Sequence, residues 1–262
     1  MTTLPKFYLE TDHPVALDSY DYLYPYGAIR DNYRNPKFNQ KLYRFPGAIL
    51  DLGCAGGGFV KNCLDDQRLA VGLEGNDYSQ KHKRAEWATI PDYLFICDIT
   101  KPFTLHTGNE APHDLTVGVS SPSASSGAKS LRSETPSLSS ASLRSGYFAK
   151  GDKIPYSFGI VTAWEVLEHI LKEDLPMLFA NVHRHLSPDG LFIASVTNYP
   201  SPNPNYANVD MHRTLQDLTW WLRQLEMHGF IRDESIEQYF GKHWVRNERN
   251  SYHLVLRKKR YD

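Results

Sequence analysis

Apolar and polar positions along this chain change rhythm near residue 46. From there on, short apolar runs alternate with stretches of helical spacing. "AILDLG" (48–53), "LAVGLEG" (69–75), "YLFICDI" (93–99), "FGIVTA" (158–163) and "GLFIASV" (190–196) are continuous apolar runs of strand length. Such runs mark strands covered on both faces. Helices are expected from about Gly57 to Asp65, over 78–88 with Pro91 closing, and over 173–186, ended by "SPDG". "TLQDLTWWLRQLEMHG" sets Leu215, Leu218, Trp221, Leu222 and Leu225 at helical spacing, with Gly229 as the stop. Two late strands are expected near 231–239 and 252–258. Strands alternating with helices predict an α/β fold built on one doubly wound, mostly parallel sheet.

Two segments depart from this rhythm. Residues 1–45 are rich in Tyr, Asn, Asp and Pro and are read as an N-terminal cap or lid segment, with a short helix near Pro36–Tyr43. The main domain then covers 46–262. Inside it, twelve of the 28 residues in 119–146 are serine, and the tract has no aromatics and no apolar spacing. Such a tract lacks the apolar area to offset its ordering entropy, so it is read as a disordered insertion.

Composition narrows the classes. A chain of 262 residues can bury a sizeable core. Its net charge of −1 gives no global field toward nucleic acid or membrane. The start lacks a basic region followed by an apolar one, and no apolar run approaches the roughly 18–20 residues that span a bilayer. Cys54, Cys63 and Cys97 are odd in number and lack knuckle or redox spacing. Reduced thiols in a cytoplasmic setting are therefore expected. Nothing here indicates an oligomeric state.

The chemistry concentrates after the first apolar run. "LGCAGGG" holds four glycines within six residues, Gly53 to Gly58. Glycines alone could serve a dinucleotide. Asp51, two residues before the first glycine, decides against it: a carboxylate there repels a pyrophosphate and suits a cationic ligand. S-adenosylmethionine (SAM) carries an ammonium and a sulfonium and no phosphate. The block resembles the first motif of class I SAM-dependent methyltransferases. Later segments carry the same resemblance: Glu74 ends the second strand, Asp98 and Ile99 end the third, and "TAWEVLEHI" follows the fourth, where the family reads "EVLEHV" or a close variant. The resemblance implies a seven-stranded Rossmann-like methyltransferase fold closed by an antiparallel strand pair. It implies a SAM site of Asp51, Gly53, Cys54, Ala55, Gly56, Glu74, Asp98, Ile99 and Trp164. Glu74 would take the ribose hydroxyls and Asp98 the adenine amino group, with Ile99 as a wall for the ring.

Glu165, Glu168 and His169 lie at three- and four-residue spacing, which shares one face of a helix. Three readings stay open. The acidic residues can simply favour a helix start while His169 packs inside. His169, with Glu168 beside it, can act catalytically as a general base, an imidazole having a pKa near 6.5. Or the set can hold a divalent cation with His212: small-RNA and ubiquinone-pathway O-methyltransferases carry a similar Glu-x-x-Glu-His used for metal. That donor set suits Mg²⁺, Mn²⁺ or Zn²⁺. "YGAIRDNYRNPKFNQKLY" and "MHRTLQDLTWWL" resemble bacterial methyltransferases of glycan and secondary-metabolite assembly. The expected reaction is methyl transfer to a hydroxyl of a small polar acceptor, such as a sugar. An RNA 2′-O-methyltransferase and a non-catalytic SAM-binding protein are the alternatives, and the balanced charge weighs against nucleic acid. Tyr22, Tyr24, Tyr26, Arg30 and Asn32 are candidates for a lid, and Trp220 or Trp221 for a wall of the acceptor pocket.

Overall fold

The computed structural model describes residues 4–16, 36–107, 153–200, 211–241 and 251–260. The proposed lid residues and the serine-rich tract lie outside these. Residues up to 108 and from 155 onward belong to one compact unit; of the second, 109–154, only 153 and 154 are described.

The chain opens with strand β1 (Tyr8–Thr11) and helix α1 (Pro36–Leu42). Strand β2 (Ile49–Leu52), helix α2 (Gly58–Asp65), strand β3 (Ala70–Glu74), the single turn α3 (Tyr78–Lys81), and strands β4 (Leu94–Ile96) and β5 (Phe103–His106) follow. After the serine-rich tract come β6 (Phe158–Trp164), α4 (Leu175–His185), β7 (Leu186–Thr197), α5 (Leu218–Met227), β8 (Phe230–Arg232), α6 (Glu234–Phe240) and β9 (Ser251–Lys258). Seven strands form one sheet in the order β4-β3-β2-β6-β7-β9-β8. β9 runs antiparallel to β7 and β8, and the other pairs are parallel. The expected doubly wound, mostly parallel sheet is what forms.

Apolar alternation explains the layering. Leu50, Val161 and Phe192 face one side of the sheet, where they meet Leu178 and Phe179 of α4 and Trp221 and Leu225 of α5. Ile49, Ile160 and Ile193 face the other, against Phe38 of α1, Phe59 of α2 and Phe240 of α6. Each central strand is thus buried on both faces, which is why its sequence reads as a continuous apolar run.

Three expectations need correction, and one strand pair was not expected. The helix over 78–88 is only the α3 turn, followed by a 3₁₀ turn at Ala85–Ala88, with Lys83 and Ala85 at φ 48° and 45°. The late strand ends at Arg232: Asp233 accepts a hydrogen bond from Ile236 N–H and caps α6, which buries Ile236 and Phe240 four residues apart. Residues 167–169 form a 3₁₀ turn rather than the start of an α-helix. Finally, β1 pairs antiparallel with β5, Tyr8 opposite His106, as a separate two-stranded sheet that alternation did not reveal.

Candidate functional site

Five parallel strands end on one edge, and strand order reverses between β2 and β6. A crevice at such a reversal is where open α/β sheets bind ligands. The loop after β2 turns there through Gly53, Ala55 and Gly57, at φ 67°, 48° and 80°, and Gly57 leads into α2. Asp51 is fully buried, and its Oδ1 accepts a 2.7 Å hydrogen bond from the Thr162 hydroxyl, its register partner on β6. Glu74 closes on the same loop: Oε2 accepts from Ala55 N–H at 2.8 Å and Oε1 from Gly75 N–H at 2.8 Å. Asp98, beyond β4, accepts from the Thr100 N–H at 2.9 Å and hydroxyl at 2.6 Å, and its own N–H donates to the His13 carbonyl. Ile99 is buried beside it.

Two residues of the expected cofactor set turn inward. The Cys54 side chain packs against Gly72, where a Cβ would come within 2.7 Å of its sulfur. Burial, and then the Glu74 and Asp51 carboxylates, hold its thiol well above the usual range, so it is no thiolate nucleophile. The Trp164 ring stands edge-on to Phe38 and Phe59, at 5.5 and 5.7 Å, within the core beneath α2. The remaining groups set carboxylates around a glycine loop that has no basic side chain between Asp51 and Val60. That chemistry fits a cation with hydroxyls, and it does not fit a pyrophosphate.

Across the reversal, the ends of β6 and β7 build a second cluster. Glu165 has φ 54°, and its N–H donates to both the carbonyl and the hydroxyl of Ser195. Its Oε2 accepts from the hydroxyls of Thr197 and Ser251. Glu168 is 0% exposed. Its Oε1 accepts from Thr197 N–H at 3.1 Å, while its Oε2 is buried without a partner. Burial, with Glu165 second, raises the Glu168 carboxyl well above the ordinary range. His169 Nδ1 meets the Met211 carbonyl at 2.8 Å, and His212 Nδ1 meets that of Tyr199 at 2.6 Å. A carbonyl only accepts, so each contact makes Nδ1 the N–H donor, and in the neutral form of the ring the lone pair lies on Nε2. The two rings stand 4.8 Å apart, and ligand atoms of Glu168, His169 and His212 all lie within 4.8 Å of one another. Thr214 locks the arrangement: its N–H donates to the Glu168 carbonyl and its hydroxyl to that of Ile170.

A family model described as a methyltransferase domain matches residues 30–243, most of the chain. The chain belongs to the family of SAM-dependent methyltransferases. A search of curated protein sequences returns no match. Among solved structures, a TehB-like SAM-dependent methyltransferase from Corynebacterium glutamicum is 15% identical, over 90% of this chain and 92% of that one, at a TM-score of 0.49. The PH0226 protein of Pyrococcus horikoshii is 14% identical over 92% and 100%, at 0.48. A SAM-dependent methyltransferase from Clostridium acetobutylicum is 10% identical over 85% and 91%, at 0.49. No described helix of the methyltransferase is long and apolar enough to cross a membrane.

The fold brings Glu168, His169 and His212 near one another, and Glu165 bonds to Thr197 and Ser251 instead. Sequence reading missed those two hydroxyls, and Thr162 and Thr214 with them. Thr162 interrupts one apolar run and Thr197 follows another, whereas Thr214 and Ser251 lie among polar neighbours and carry no local signal.

Proposed function

We propose that this methyltransferase acts on oxygen, at a hydroxyl of a small polar acceptor such as a sugar or a carbohydrate-bearing metabolite. In this reading the loop from Gly53 to Gly56, with Asp51, receives the amino-acid end of SAM. Glu74 takes the ribose hydroxyls, and Asp98 with Ile99 takes the adenine. Glu168, His169 and His212 would hold a divalent cation (Mg²⁺, Mn²⁺ or Zn²⁺) on the acceptor side. One observation carries the reading: the orphaned Glu168 oxygen sits beside two imidazoles whose Nδ1 atoms both rest on backbone carbonyls. Histidines that ligate metals are oriented in just this manner, and a buried carboxylate oxygen left without a proton or cation is costly. The bound ion would supply Lewis-acid polarisation of the acceptor hydroxyl.

The rest falls to the chain. An amine brings its own lone pair and needs only deprotonation, whereas an aliphatic hydroxyl is poorly acidic and gains most from such a cluster. Asp51 and Glu74 fix the donor, and Glu168 with its neighbours fixes the acceptor side, so that the oxygen meets the methyl carbon in line. The oxygen–carbon bond forms as the sulfur–carbon bond breaks. The electron pair stays on sulfur, whose positive charge disappears, and the hydroxyl proton is released to solvent.

Calorimetric titration with Mn²⁺ tests the metal without needing the acceptor. The full chain should bind one ion, and Glu168→Gln should lose it while SAM still binds. An acceptor screen with labelled SAM, read by mass spectrometry, should give a product that chelator abolishes. Activity indifferent to chelator, with no Mn²⁺ bound, would return the chemistry to His169 as a simple base, its rate rising as the imidazole deprotonates. Methylated RNA in that screen would overturn the small-acceptor reading.

A further inference from the structure

Backbone strain in this protein is concentrated. Five described non-glycine residues have positive φ, and three of them, Ala55, Lys83 and Ala85, belong to one small assembly. Left-handed residues without glycine cost energy and persist where surroundings over-determine them, most often around functional sites. Here Lys83 and Ala85 bend the chain out of α3 and into the 3₁₀ turn at Ala85–Ala88. That turn lies against the glycine loop. The Glu86 N–H donates to the Gly56 carbonyl at 2.9 Å, and the Trp87 indole Nε1–H donates to the Ala55 carbonyl, also at 2.9 Å. Two successive carbonyls of the loop are thus held by two successive residues of one turn.

Ala55 is gripped from both ends. Its N–H goes to the Glu74 carboxylate and its carbonyl to Trp87. Trp87 is 3% exposed and sits in the apolar layer beneath the loop, so a phenylalanine ring would serve its packing. What phenylalanine lacks is the N–H. A trans peptide points its N–H opposite to its carbonyl, so fixing the Ala55 carbonyl also fixes the direction of the Gly56 N–H.

We infer that Trp87 is a positioning residue of the cofactor site: its indole N–H sets the Ala55–Gly56 peptide for the amino-acid end of SAM. The inference rests on the reading that this loop receives SAM. Trp87 touches no reacting atom in this role; it acts through the peptide.

The experiment compares SAM with 5′-methylthioadenosine, which lacks the amino-acid end, by calorimetry on the full chain. Trp87→Phe should bind SAM about tenfold more weakly, the effect of one lost buried hydrogen bond. It should bind methylthioadenosine within about twofold of wild type and melt within a few degrees of it. Unchanged SAM affinity would overturn the inference. So would an equal loss for both ligands, the result expected of a packing residue. Should Trp87→Phe fail to fold, the indole N–H resonance of the wild-type protein decides: it should shift on adding SAM and not on adding methylthioadenosine, and no shift with SAM overturns the proposal. Wild type that binds neither ligand would overturn the inference together with the site reading beneath it.

Discussion

Asp51 shows how one side chain is used twice. Its carboxylate lies in the middle of the sheet, where it answers the Thr162 hydroxyl, and at the end of its strand, where the glycine loop begins. An alanine there would leave that buried hydroxyl only its 3.4 Å contact with the Leu50 carbonyl and mix a folding defect with any loss of binding. Asparagine avoids this, because its amide oxygen still accepts from Thr162. Asp51→Asn should therefore fold like wild type and weaken SAM by about 1.5–3 kcal/mol, the scale of a charge-assisted hydrogen bond. Titration calorimetry measures this, and undiminished affinity would remove Asp51 from the site. The sequence marks the carboxylate by its distance from the glycines, but not its burial. Its burial depends on a register with a strand 111 residues away, which no local pattern encodes.

At the scale of elements, what could be read depended on where each stabilising contact comes from. The central strands were legible because burial on both faces writes an unbroken apolar run. α2, α4 and α5 were legible because one buried face writes a helical period. α6 was missed although "DESIEQYF" carries a capping aspartate, since its two buried residues also fit a strand. The turn at Ala85–Ala88 was read as helix because its strain is sustained by the glycine loop, not by its own sequence. The Glu165–His169 stretch was read as helix for a similar reason: partners on β7 and β9 hold it in place. β6 supplies a test of how tightly the elements fit. At Gly159 a Cβ would lie 2.0 Å from the Pro46 carbonyl oxygen and 2.8 Å from the Gly47 Cα. Both neighbours are backbone and cannot swing away. Gly159→Ala should cost at least ~2 kcal/mol of stability by urea denaturation, as overpacking against a rigid wall does. A variant as stable as wild type would mean that β6 and the 46–47 turn can part freely.

For the molecule as a whole, acid should be the weak direction. His185 ties α4 to β5: its Nε2 accepts from Leu105 N–H at 3.1 Å, its Nδ1–H donates to the Asn181 carbonyl at 2.9 Å, and its ring stacks on Phe103. Burial lowers its pKa from 6.5 to about 4. Between those values the unfolded chain binds a proton that the folded chain refuses, so stability falls as pH falls. Lowering the pH from 7.5 to 5 should remove about 2 kcal/mol through this residue alone. His183, also lowered by burial and by Lys258, acts in the same direction. Urea midpoints at the two pH values measure the sum, and His185→Gln should flatten the difference. Equal midpoints in wild type would show that His185 is not held neutral.

The distance between β2 and β6 along the chain has a consequence for how the protein is made. The two strands lie side by side at the centre of the sheet, yet Asp51 leaves the ribosome 111 residues before Thr162. At a synthesis rate of about 5–20 residues per second, that gap lasts roughly 5–20 seconds. During it β3 can occupy one side of β2, while the other side has nothing of its own to pair with. A strand flank bare for seconds is a template for any neighbouring chain. Losses during high-level expression should therefore accrue before β6 is made, and slowing initiation so that nascent chains are spaced apart should recover more protein than strengthening the finished fold.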